Sequence, residues 1–172
     1  GLAAAAQDPK SVNQLYNIKG RDPKKPISIC VGDVDSIAHW GDVTCLPFGL
    51  LQRLLPGPVT VVLKRTSFLN PLLNPSVSNV GVRIPNNAFM LNLCNKVGMP
   101  LALTSANLSN KPSSLTPEEF KDLWPLLSAV FHNGKLGDSI ECRAGSTIVA
   151  LSVVGKYHII RPGSALSSTQ AI

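Results

Sequence analysis

Residues Leu101 to Ser114 read LALTSANLSNKPSS, and this stretch decides the reading of the fold. Leu101, Ala102 and Leu103 form a short apolar run closed by Thr104, after Pro100 and before small hydroxyl and amide residues. A run this short, bounded by turn formers, predicts a buried strand that ends in a loop. Thr116-Pro117-Glu118-Glu119 then reads as a helix start, with Thr116 as N-cap, Pro117 at N1 and Glu119 completing a capping box. Strand, small-residue loop and helix N-terminus together offer backbone N–H groups and a positive dipole end to an anion. The same pattern describes an ordinary strand-to-helix connection.

Upstream, Asp8-Pro9 is an N-cap and N1 pair, and Val12, Leu15, Tyr16 and Ile18 share one face of a helix that ends at Gly20. Ile27 to Val31 reads as a buried strand, and Asp33 to His39 as a short helix. Pro47 to Leu55 carries Leu50, Leu51, Leu54 and Leu55 at helical spacing before Pro56-Gly57-Pro58. Val59 to Leu63 is a strand of β-branched residues, Ser67 to Asn79 a surface loop, and Val80 to Ile84 another strand. Ala88 to Val97 fits an amphipathic helix buried through Phe89, Leu91, Leu93 and Cys94, and stopped by Gly98.

Downstream, Pro117 to about Leu127 is the capped helix, facing inward with Phe120, Leu123, Trp124 and Leu127. Ala129 to Phe131 is read as a short strand, Asn133 to Ala144 as a loop, and Ser146 to Leu151 with Tyr157 to Arg161 as an antiparallel pair. Strands alternating with helices and ending in a hairpin predict one α/β domain over residues 1–172, with helices packed on a twisted mixed sheet.

Sixteen Lys and Arg against ten Asp and Glu leave a net charge of +6 on a sparsely charged chain. That balance suggests an anionic ligand, nucleic acid being the natural candidate, although a merely basic surface shows it too. Cys30, Cys45, Cys94 and Cys142 form no CxxC pair and read as reduced thiols of an intracellular protein. His39, His132 and His158 lack ligand spacing, so no metal site is expected from protein side chains. No apolar run approaches the roughly 20 residues of a membrane span.

Two arginines stand where strands are expected. Arg83 lies between Val82 and Ile84, and Arg161 follows Ile159 and Ile160. A guanidinium in such a place requires solvent, a carboxylate or an external anion. The strand regions hold almost no Asp or Glu, which favours the external anion. P-loop, GxGxxG, GxSxG and HExxH patterns are all absent. Without a nucleophile–base pair, the chemistry left is positioning and charge stabilisation.

KGR at Lys19–Arg21, KPI at Lys25–Ile27, LPGPVT at Leu55–Thr60, GVRIP at Gly81–Pro85, TSANLS at Thr104–Ser109, STIV at Ser146–Val149 and IIRPG at Ile159–Gly163 occur in order. Together they resemble the YrdC family of L-threonylcarbamoyladenylate synthases, on its eukaryotic branch, over essentially the whole chain. The resemblance implies a large basic cavity and a reaction in which L-threonine, bicarbonate and ATP give threonylcarbamoyl-AMP and pyrophosphate. Mg²⁺ would accompany the ATP. The product would feed a downstream transferase that modifies an adenosine of tRNA to threonylcarbamoyladenosine, in cytoplasm or mitochondrion. The resemblance further implies a catalytic set of Lys19, Arg21, Ser105 and Asn107. Nucleotide contacts would come from Arg21, Lys25, Asn107 and Arg161, and threonine contacts from Arg83, Ser105 and Ser146.

Three departures accompany the likeness. Lys25 and Cys30 replace the Asn and His of many bacterial and archaeal relatives. Ser113-Ser114-Leu115 stands where Ser-Pro-Thr is common, which weakens the expectation of a nucleotide contact there. Gly1 aligns with the last glycine of the family's PTDTxYG motif, so a sheet edge and a pocket threonine are expected to precede it and the fragment to be weak or inactive. A non-catalytic module for double-stranded RNA or tRNA is the competing expectation. A carbamoyl-transfer domain of hydrogenase maturation is disfavoured, since neither acylphosphatase-like nor zinc-finger segments are recognised.

Overall fold

The computed structural model describes residues 1–20, 25–107, 112–137 and 140–172. Among these, seven strands form one mixed sheet: β1 (Leu2–Ala5), β2 (Ser28–Cys30), β3 (Val59–Lys64), β4 (Asn79–Arg83), β5 (Leu101–Thr104), β6 (Thr147–Val153) and β7 (Lys156–Arg161). Their order across the sheet is β1-β5-β2-β4-β3-β6-β7. The β2–β4 and β3–β6 pairs are parallel and the other four pairs antiparallel. The helices are α1 (Pro9–Lys19), α2 (Ile37–Trp40), α3 (Leu50–Leu54), α4 (Ala88–Val97) and α5 (Leu166–Gln170), with 3-10 segments at Pro117–Leu126 and Ile140–Arg143.

Strand periodicity separates the two faces of the sheet. On one face Ile29, Val61, Leu63, Val80, Val82, Ala102, Val149 and Leu151 are buried in a continuous cluster with Val12 and Leu15 of α1. Each such side chain contributes about 1.5–3 kcal/mol when fully buried. The opposite face carries Ser28, Thr60 and Gly81, which are small. A Cβ on Gly81 would stand 2.7 Å from the Ser28 hydroxyl, so this position has no room for a side chain.

The predicted α1 is present with both ends as expected. The Asp8 carboxylate accepts from the Lys10 and Ser11 N–H groups, and Gly20 adopts φ +54°, where a side chain would be strained. The strand at Leu101–Thr104, the helix at Ala88–Val97 and the terminal hairpin also stand where the pattern placed them.

Five readings are corrected. Ser67 to Asn79 is not merely a surface loop: Leu69, Asn70, Leu73 and Asn74 are buried. Arg65 donates to the carbonyls of Leu69, Asn70, Leu73 and Asn74, and the Asn74 amide pairs with both backbone groups of Ile27. The helix at Pro117 is a 3-10 segment bent at Phe120, Thr116 makes no side-chain cap, and Trp124 is exposed. In α4 only Cys94 is buried, while Phe89 is exposed and meets Phe131 at 5.1 Å between ring centroids. Ala129 to Phe131 is not a strand. The expected helices at Asp33 to His39 and Pro47 to Leu55 shrink to α2 and α3, because turn and proline residues occupy their starts. Two elements, β1 and α5, had no forecast.

Candidate active site

Lys19 ends α1 and is 2% exposed, an unusual place for an ammonium group. Its Nζ donates to the Ser105 carbonyl at 2.6 Å, the Asn107 carbonyl at 2.5 Å, Asn107 Oδ1 at 2.9 Å and Ser105 Oγ at 3.2 Å. These acceptors engage the three ammonium protons, so Lys19 shapes the turn after β5. The KxR lysine and the SxN pair are thus brought together, as the motifs implied. Arg21 lies outside the described residues, as do Leu108 to Lys111 of the opening stretch. Lys25 is exposed at the start of the following segment.

The second cluster follows from register. Leu101 pairs with Cys30, Cys30 with Arg83, Thr60 with Ile148 and Ile148 with Arg161. The β3–β4 register sets Val61 against Val82, and its next step brings Thr60 to Arg83. One transverse row therefore carries Cys30, Arg83, Thr60 and Arg161 across the sheet.

Arg83 is half-buried, and its buried Nε has no hydrogen-bond partner among the described residues. Burial holds the guanidinium below its ordinary pKa; Cys30 opposes that shift and the like charge of Arg161 adds to it. A nearby anion would supply the missing partner and relieve the repulsion. Cys30 and Cys94 are buried free thiols with sulfurs 3.6 Å apart, and the contact with Cys94, then burial, pushes the Cys30 thiol up.

Ser146, just before β6, is held from two sides. Arg161 Nη2 donates to its carbonyl at 2.7 Å, and Thr60 Oγ1 lies 2.7 Å from its Oγ. Gly163 of IIRPG packs so closely here that a Cβ would overlap the backbone of Gly145, Ser146 and Thr147. That motif glycine is required by contact rather than by backbone angle. Thr60 stood in a quoted motif but had no assigned role; its partner is 86 residues away in sequence.

Among the described residues no group of three or more His, Cys, Asp or Glu could hold a metal ion, and no helix is long and apolar enough to cross a membrane. An open recess lined by Gln14, Asn17, Ile18, Pro125 and Leu126 offers no cation. The arginine row is therefore the better anion site.

The class of protein is thus a mixed α/β sheet domain that carries Arg83 and Arg161 in one transverse row. The model of the Sua5/YciO/YrdC family, described as "telomere recombination", matches residues 1–163, and the chain belongs to this family. It is 53% identical to the threonylcarbamoyl-AMP synthase of Homo sapiens, and 52% to that of Bos taurus. Both alignments cover 100% of the chain but only 62% and 63% of those proteins, so the chain spans under two thirds of their length. Among solved structures, P. abyssi Sua5 complexed with L-threonine superposes with a TM-score of 0.82 at 25% identity, covering 95% of this chain and 47% of that one.

Proposed function

We propose that the chain is the synthase domain that makes threonylcarbamoyl-AMP and pyrophosphate from L-threonine, bicarbonate and ATP. The observation that carries the reading is the buried Nε of Arg83, without a partner among the described residues, in a row with Arg161, which in turn holds the Ser146 carbonyl. Its support is the family membership and the likeness to synthases and to a threonine-bound Sua5.

In this reading Arg83 takes the threonine carboxylate, with Ser105 and Ser146 completing the amino-acid site. The threonine amine attacks CO₂ derived from bicarbonate and forms a carbamate. A carbamate oxygen then attacks the α-phosphate of ATP in line, and the bond to pyrophosphate breaks. Arg21, Lys25, Asn107 and Arg161 serve the nucleotide, while Lys19 keeps the turn carrying Ser105 and Asn107 in place. Mg²⁺ would arrive with the ATP, since the described residues form no cluster to hold a metal ion, and it would supply charge neutralisation on the phosphates. The product serves threonylcarbamoyladenosine formation in tRNA through a separate transferase, and the setting is cytoplasmic or mitochondrial.

The test is pyrophosphate release from ATP, measured with threonine and bicarbonate each omitted in turn, on this chain and on a longer form resembling the relatives. Release that needs both co-substrates is expected. No release from either form, with salt-sensitive binding of double-stranded RNA, would replace the enzyme with an RNA-binding module.

A further inference from the structure

Thr60 is 2% exposed, and its hydroxyl would be costly to bury without a partner. The partner is Ser146 Oγ at 2.7 Å, itself on a residue that is 7% exposed. The Thr60 methyl lies 3.2 Å from where a Cβ on Gly81 would stand, so a glycine there leaves Thr60 its place. Ser146 thus has its carbonyl fixed by Arg161 and its hydroxyl fixed by Thr60. Arg161 Nη2 also approaches Ser146 Oγ, at 3.4 Å. With Thr60 donating, the Ser146 hydroxyl keeps its own proton for a ligand acceptor. Along the sheet, Thr60 is the row position between Arg83 and the strand pair that carries Arg161.

We infer that Thr60 is a positioning residue of the amino-acid site, acting through Ser146 by fixing the direction of its hydroxyl. It contacts no substrate itself. The inference rests on the function proposed above, in which Ser146 belongs to the threonine site.

The experiment compares wild type, Thr60→Val, Thr60→Ser, Ser146→Ala and the double variant. Each is measured by calorimetric binding of L-threonine, by steady-state pyrophosphate release and by thermal melting. Thr60→Val keeps the side-chain shape and should weaken threonine binding and raise its KM by about tenfold, the worth of one net hydrogen bond. Its kcat and its KM for ATP should stay near wild type, and Thr60→Ser should restore threonine binding. The double variant should bind no worse than Ser146→Ala, because the two residues act as one unit.

Unchanged threonine binding in Thr60→Val, alongside a loss in Ser146→Ala, would remove Thr60 and leave the proposed site standing. So would losses that add fully in the double variant. If Thr60→Val lowered the melting temperature and weakened ATP and threonine alike, its role would be structural only. Unchanged binding in Ser146→Ala would remove Ser146 from the threonine site, and the inference with it.

Discussion

Arg83 has a buried nitrogen with no partner among the described residues, and a like charge acting on it from Arg161. Both conditions are relieved by a carboxylate. Arg83→Gln should therefore weaken threonine binding by about 1.5–3 kcal/mol, the range for hydrogen bonds to charged groups. Calorimetry decides this, and unchanged affinity would remove Arg83 from the amino-acid site. Sequence alone singled out Arg83 and Arg161 because strands without nearby acids leave a guanidinium unanswered. It could not show that Lys19 clamps a turn, since the acceptors lie 86 and 88 positions away. Thr60 was hidden for the same reason: a hydroxyl in a strand declares no partner until register supplies one.

At the scale of elements, local chemistry was legible wherever a cap or a period was strong. Asn87 caps α4 by accepting from the Met90 N–H at 3.0 Å, and Asn87→Ala should cost about 1 kcal/mol in urea unfolding. The capping box at Thr116 forms only in part: the Thr116 side chain makes no cap, while Glu119 accepts from backbone at the segment's start and also pairs with Arg143 at 2.7 Å. Arg143 also donates to the Ser113 carbonyl, so one side chain ties two parts of the segment after β5. The hydrogen bond from Arg143, ahead of the opposing effect of burial, holds Glu119 below its ordinary pKa. A depressed carboxylate contributes stability above its unfolded value, near 4.3, and loses it as pH falls through the lower folded value. Amide protection factors in residues 113–126, exchange rates corrected for the intrinsic effect of pH, should therefore fall below about pH 4 relative to pH 6. Equal protection at both would exclude the tie. The strand β1 escaped notice because Leu-Ala-Ala-Ala has little strand propensity; pairing with β5 decides its conformation.

For the whole molecule, alternation of strands and helices was enough to forecast a mixed α/β domain. The order of the strands was not legible, because β5 inserts between β1 and β2, and β6 joins β3 across 82 intervening positions. Strands β3 and β4 each hold both core residues and a member of the site row. Leu63→Ala should cost about 2–5 kcal/mol in urea unfolding, whereas substitutions on the opposite face should change binding first. Gly163→Ala belongs to neither class. By forcing the turn after β7 away from Ser146, it should lower both melting temperature and threonine affinity; normal values for both would contradict the close packing.

The row itself has a further consequence. From β4 to β7 there are three interstrand steps, so the roots of Arg83 and Arg161 stand about 14 Å apart at the usual strand spacing. Their charged ends nonetheless lie close enough to repel. Arg161 is held there by the Ser146 carbonyl, so an anion that settles on Arg83 also meets the charge of a second strand, and the sheet register sets how far apart the two charges are rooted.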